Sequence, residues 1–151
     1  MRASYPMTRY FLAVGTRADV LVAVSAGFCF AGAEKAALLS RMAEGDWLAY
    51  YSPRESPRAA ALCRRFTAIG RVTKGRVSGG QGSESFGGAR RPMRYLQCHA
   101  APAAALVASL SFVRDPRRWG SSFREGFFEV AREDFAVIAQ AMLTRVEWET
   151  L

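Results

Sequence analysis

Residues 112–142 read FVRDPRRWGSSFREGFFEVAREDFAVIAQAM, and two changes of pattern inside them decide the fold class. Trp119 stands between Arg118 and Gly120, and a glycine there lets the backbone approach a neighbour closely or take a positive φ that a Cβ would resist. Gly-Phe-Phe-Glu-Val at 126–130 then has the aromatic and β-branched content of a short strand. From Glu133 the period turns helical. Phe135, Ile138, Ala139 and Met142 fall at i, i+3, i+4 and i+7 and form one apolar stripe, while Glu133 and Asp134 occupy the first turn, where the helix dipole favours negative charge.

Upstream, strands and helices alternate in irregular order. Residues 9–14 read as a strand. Thr16-Arg17-Ala18-Asp19 resembles a capping box with Asp in place of Glu, so a helix should start near Arg17, bury Val20, Leu21 and Val24, and stop at Gly27. Val20, Val22 and Val24 also alternate as a strand would; the cap and the glycine together favour the helix. Residues 28–32 read as an aromatic connector and 35–42 as a short helical turn. A turn at 43–46 leads into a strand at 47–51, ended by Ser52-Pro53. Ser56-Pro57 predicts a short helix through Arg65, and 66–73 alternates as a further strand. Residues 78–89, SGGQGSESFGGA, contain five glycines and three serines and predict a mobile loop. A strand at 91–99 and a short apolar helix at 102–110 complete the series. This pattern predicts an α+β domain with a curved or barrel-like mixed sheet rather than a doubly wound one.

The chain has 151 residues, half of them apolar, which predicts a single domain over 1–151 with a real core. The net charge of +8 points to an anionic partner. Cys29, Cys63 and Cys98 are odd in number, far apart and without a C-x-x-C pair, so neither a disulfide framework nor a metal site is expected. They read as reduced thiols of a cytoplasmic protein. The N-terminal apolar run is short, lacks a convincing cleavage site and is interrupted by Arg9, so no signal peptide is expected. The run at 20–33 falls short of the ~20 residues of a membrane span, so no membrane association is expected.

The runs RYFLAVGTRADVL, SRMAEGDWLAYYSPRE, RRFTAIGRV and SFVRDPRRWGSSFREGFFEVAREDFAVIAQAM together resemble the EVE domain of the PUA-like superfamily, which also contains the YTH domains. The resemblance spans about residues 9–143. It implies a mixed β pseudo-barrel flanked by short helices, with a pocket that accepts a flipped, modified base of DNA or RNA. Phe30 and Ala33 stand where the family typically carries a polar stretch with Gln and His.

Reading a base requires aromatic walls and a few polar groups for its edge, since stacking must offset an unstacking cost of about a few kcal/mol. The candidate walls are Trp119, Tyr51 and Phe30, with Phe123 beside them. Thr16, Ser52 and the backbone near Gly120 are candidate edge readers, with Arg124 at the margin. Arg90, Arg91, Arg94, Arg117 and Arg118 are the candidate phosphate contacts. Each has a plainer reading. Trp47, Tyr50 and Phe128 read as core, Thr16 also as a cap, and Arg90 with Arg91 also as a solvated strand edge.

Catalysis finds little support. His99 is the only histidine, no nucleophile motif surrounds it, and GGQGSESFGG lacks the Lys of a phosphate loop. The expectation is therefore a monomeric nucleic-acid reader without cofactor or catalytic residues. An RNA-binding or protein-interaction module without base specificity is the alternative, and a small enzyme is a more distant one.

Overall fold

The computed structural model describes residues 7–79 and 88–144. Its centre is one curled, mixed sheet in the order β2-β6-β4-β3-β1-β8, with β5 paired to β6 and β7 to β4. The strands are β1 (Tyr10–Val14), β2 (Phe28–Ala31), β3 (Trp47–Arg54), β4 (Leu62–Val72), β5 (Ser78–Gly79), β6 (Ala89–Tyr95), β7 (Ala101–Pro102) and β8 (Phe127–Val130). The helices are α1 (Arg17–Ala26), α2 (Ala36–Arg41) and α3 (Arg132–Met142), with 3₁₀ segments in the connections, the longest over Pro116–Phe123. β1 and β3 run parallel, and every other pair is antiparallel.

Strand alternation builds two cores from the same strands. Tyr10, Leu12, Trp47, Ala49 and Tyr51 face a cluster completed by Phe66, Phe123 and the α3 stripe Phe135, Ile138, Ala139 and Met142. Phe11, Ala13, Leu48 and Tyr50 face the other, with Val20 and Ala23 of α1, Phe30 of β2 and Leu39 of α2. Being covered on both faces explains why β1 and β3 read as unbroken apolar runs.

Local signals at both ends of α1 act as read. The Asp19 amide donates to Thr16 Oγ1 at 3.3 Å, and Gly27 closes the helix at φ 79 with its amide on the Ala23 carbonyl. The buried face differs from expectation: Val20 and Ala23 are buried, whereas Leu21 and Val24 are 49% and 37% exposed. The helix docks on a narrow strip where the small Ala23 permits close approach.

Further expectations change. Residues 28–31 form a strand, because β6 supplies backbone partners that the local sequence does not reveal. No helix forms at 57–65; Ser56 Oγ accepts the Ala59 amide at 3.1 Å, which makes only a turn, and β4 begins at Leu62. β3 continues through Ser52-Pro53 to Arg54, since Pro53 lies at a register irregularity and costs no ladder bond there. The apolar helix at 102–110 is two 3₁₀ turns, Ala103–Ala105 and Val107–Ser109. Most of the glycine-rich loop, 80–87, lies outside the described residues; Ser78 and Gly79 pair with β6, so its first residues are strand. Among the described residues no helix is long and apolar enough to cross a membrane.

Candidate nucleic-acid interface

The segment carrying Trp119 is held by its own side chains. Asp115 Oδ1 accepts the Arg117 amide at 3.0 Å, Pro116 opens the 3₁₀ segment Pro116–Phe123, and Arg118 at φ −123, ψ 39 kinks it. Ser121 Oγ donates to the Arg118 carbonyl at 2.9 Å across the kink. Trp119 is thereby left half-buried, edge-on to Tyr51 (5.7 Å between ring centroids, 77°) and to Phe123 (6.2 Å, 87°). Tyr51 and Phe123 stack at 4.3 Å. Tyr51 and Trp119, with Phe123 packed behind them, border a cavity of about 160 Å³ whose remaining lining is Gly120 and the arginines 64, 117 and 118; Phe123 itself does not line it.

Arg64 is absent from the sequence-derived candidates. The β3–β4 ladder skips residues twice, between Tyr50 and Tyr51 and between Ser52 and Arg54, and the second irregularity holds Cys63 and Arg64. Arg64 has φ 52, the only positive φ outside glycine among the described residues. The bulge brings Arg64 to the cavity beside Tyr51. Its positive charge favours ionisation of the Tyr51 phenol, yet burial outweighs it and pushes that phenol up to about 12, so the hydroxyl stays protonated. None of Arg64, Arg117 and Arg118 forms an ion pair among the described residues; the acids that do pair take Arg9, Arg17 and Lys35.

The other candidates separate. Phe30 is not at this cavity: it is buried in the second core, stacked on Tyr50 at 5.0 Å, with its amide donating to Tyr50 Oη and its carbonyl accepting from it, both at 2.7 Å. Ser52 is fully buried and shares a 2.7 Å hydrogen bond with Thr67 Oγ1. Thr16 acts as the α1 cap. Gly120 belongs to the mouth, but not for the expected reason: its φ is not positive, and an added Cβ would touch nothing within 4 Å. Arg124 is exposed at the end of the 3₁₀ segment, outside the cavity.

Arg91 is corrected outright as a phosphate contact. It is buried, and its guanidinium donates to the Leu39 carbonyl at 3.0 Å and to the Met42 carbonyl, closing the C-terminal end of α2. Strand alternation sends Arg90 the other way, over the Phe28 ring at 5.1 Å. Arg94 is exposed on β6, opposite Arg71. Arg90 and Arg94 therefore lie on β6, separated from β3 and the cavity by β4.

Larger hollows among the described residues lack this combination: one of about 250 Å³ at Phe28, Arg90 and Arg91 has a single ring, already covered by the Arg90 guanidinium at 5.1 Å. One of about 440 Å³ at Cys98, His99 and Met142 has no aromatic wall, and in one of about 680 Å³ beside Tyr10 the Arg9 guanidinium is already held by Glu129 at 3.0 Å. Trp47, Tyr50 and Phe128 pack into the cores. Cys29, Cys63 and Cys98 form no disulfide, and no group of three His, Cys, Asp or Glu capable of holding a metal occurs among the described residues.

A curled mixed sheet with short helices and a small aromatic, arginine-rimmed cavity defines a PUA-like α+β domain. The same fold is seen in Rpa0253 of Rhodopseudomonas palustris (TM-score 0.55, 14% identity, 89% of this chain and 92% of that one). A hypothetical protein of Leishmania major also shares it (TM-score 0.56, 12% identity, 89% and 94%). The EVE domain pattern matches residues 9–141, and the chain belongs to that family. It is 38% identical to the UPF0310 protein YdcG of Bacillus subtilis, over 89% of this chain and 92% of that protein. A UPF0310 protein from the gntR 5′ region of Bacillus licheniformis is likewise 38% identical, over 85% and 87%. Membership of this family suggests a binding module rather than a catalytic one.

Proposed function

We propose that this protein is a nucleic-acid-binding reader that takes one flipped, modified base into the cavity at Tyr51 and Trp119. The observation that carries the reading is the juxtaposition of three mutually packed rings with three arginines that form no ion pair among the described residues. Trp119, only partly buried, is the ring available to stack on an incoming base; Phe123, buried beneath, keeps Tyr51 in place. Arg117 and Arg118 flank the mouth where the phosphates of the flipped nucleotide would run, and such contacts give affinity with little sequence information. Arg90 and Arg94 on β6 would extend the basic track.

Trp119→Ala is the deciding variant. Affinity for the preferred modified strand should drop by about 1–3 kcal/mol, the value of a base–aromatic stack, with little change on unmodified strands. Because Trp119 is only half-buried, stability should fall by less than the ~3–5 kcal/mol of a fully buried Trp. A thermal melt and a titration with modified and unmodified oligonucleotides measure both; a large stability loss with unaltered base discrimination would make Trp119 a core residue only. A second reading, a protein-interaction module, draws on the exposed Leu21, Val22 and Val24 of α1. Absence of nucleic-acid binding even at low salt would favour it.

A further inference from the structure

We propose that Arg64, together with the Tyr51 hydroxyl, is the specificity-determining pair of the cavity and selects a base bearing an oxygen-acceptor substituent, a carboxylate above all. Methylated and amino-substituted bases would be disfavoured. The inference rests on the base-reading function proposed above and adds to it the chemistry of the base.

The first support is the inventory of the mouth. Among the described residues its polar side chains are three guanidinium groups, one indole N–H and one phenol, with no carboxylate, amide or imidazole side chain lining it. Guanidinium and indole groups donate only, and the phenol alone can also accept. Burial pushes its ionisation up to about 12, so the Tyr51 hydroxyl keeps its proton at neutral pH. A methyl group brought here strips water from the arginines and returns nothing, and an amino group meets a wall of donors. A carboxylate meets charge-assisted donors from more than one side, the strongest class of hydrogen bond available to it.

The second support is the backbone. Arg64 is held in the left-handed region, where a long side chain is disfavoured and glycine is not. The bulge at 63–64 turns it to the cavity instead of leaving it on the regular strand face that Arg65 occupies opposite Ser52. A strained non-glycine residue at a cavity mouth is the pattern in which strain serves a site.

The test uses the full chain and four oligonucleotides identical except at one position, which carries 5-carboxycytosine, 5-methylcytosine, N6-methyladenine or an unmodified base, at one fixed salt concentration. The native chain should bind the carboxylate strand about tenfold or more tightly than the methylcytosine strand, as expected for one charge-assisted hydrogen bond. Arg64→Gly should bring that preference within about twofold while melting no lower than the native chain, because glycine relieves the left-handed strain. Arg64→Lys, which keeps the charge but not the fork, should retain part of the preference. If the native chain discriminates among the strands but favours a methylated one, or if Arg64→Gly keeps the carboxylate preference, the role of Arg64 is overturned and base reading stands. If the native chain binds all four alike, base reading fails and this inference falls with it.

Discussion

Tyr50 and Tyr51 are adjacent in sequence and opposite in fate. The two-residue period of β3 sends Tyr50 into the core behind the sheet, where its hydroxyl is held by Phe30, and sends Tyr51 to the cavity. Cys29 shows the same burial in a titratable group. It is fully buried, its thiol donates to the Arg91 carbonyl at 3.5 Å, and burial pushes it from 9.0 up to about 12, only partly opposed by the Arg91 charge. The unfolded chain loses this proton near pH 9 while the folded chain keeps it, so the stabilisation is complete below about pH 9 and is lost as pH rises towards 12. Burial also raises Tyr50 and Tyr95, which act in the same direction from about pH 10 upward. Thermal melts should therefore decline above pH 9. Cys29→Ala should lessen the loss between pH 9 and 10, by up to about 1.4 kcal/mol per pH unit; an unchanged slope would show that the thiol plays no part.

At the scale of elements, side chains and close backbone contact fix how the pieces meet. Asp134 in the first turn of α3 is buried, and its carboxylate accepts the Ser111 amide at 2.8 Å and the Ser111 hydroxyl at 2.5 Å. The acidic first turn thus does more than favour the helix dipole: it ties α3 to the segment leading to Trp119. Gly70 sits where β4 crosses β6, and an added Cβ would lie 2.2 Å from the Arg94 carbonyl oxygen and 2.7 Å from Tyr95 Cα. Both are backbone atoms, which no rotamer change can move aside. Gly70→Ala should cost about 1–3 kcal/mol or more of stability, measured by denaturant unfolding, because the strands must separate. A neutral result would mean that β4 and β6 can part freely at this point.

Over the whole molecule, charge and architecture divide the work. The two cores hold the sheet from both faces, while Arg64, Arg117 and Arg118 lie at one mouth and Arg90 and Arg94 along β6. If four to six of these basic groups contact phosphates, log affinity for duplex DNA should fall with log salt at a slope of about −4 to −5, and less steeply on single strands. Replacing Arg117 and Arg118 together with Ala should flatten that slope by about 2 while leaving base discrimination in place. A slope unchanged by both substitutions would remove the 3₁₀ segment from the phosphate path.

What the chain declares by itself is local chemistry with a period. The α3 stripe, the Thr16 cap, the Gly27 stop, the apolar runs of β1 and β3 and the turn at Asp115-Pro116 are all legible, because each signal lies within a few residues and reflects propensity, capping or alternation. Trp119 was legible as an aromatic among arginines, and Tyr51 as its companion through the family motifs. Tertiary structure alone decided the rest. Phe28–Ala31 became a strand because β6 came alongside, Arg91 turned inward to the carbonyls of α2, and a register irregularity between β3 and β4 carried Arg64 to the cavity. Lateral strand partners and bulges arise between residues distant in the chain, so the same arginine pattern reads alike in sequence whether a residue ends at a site or in a core.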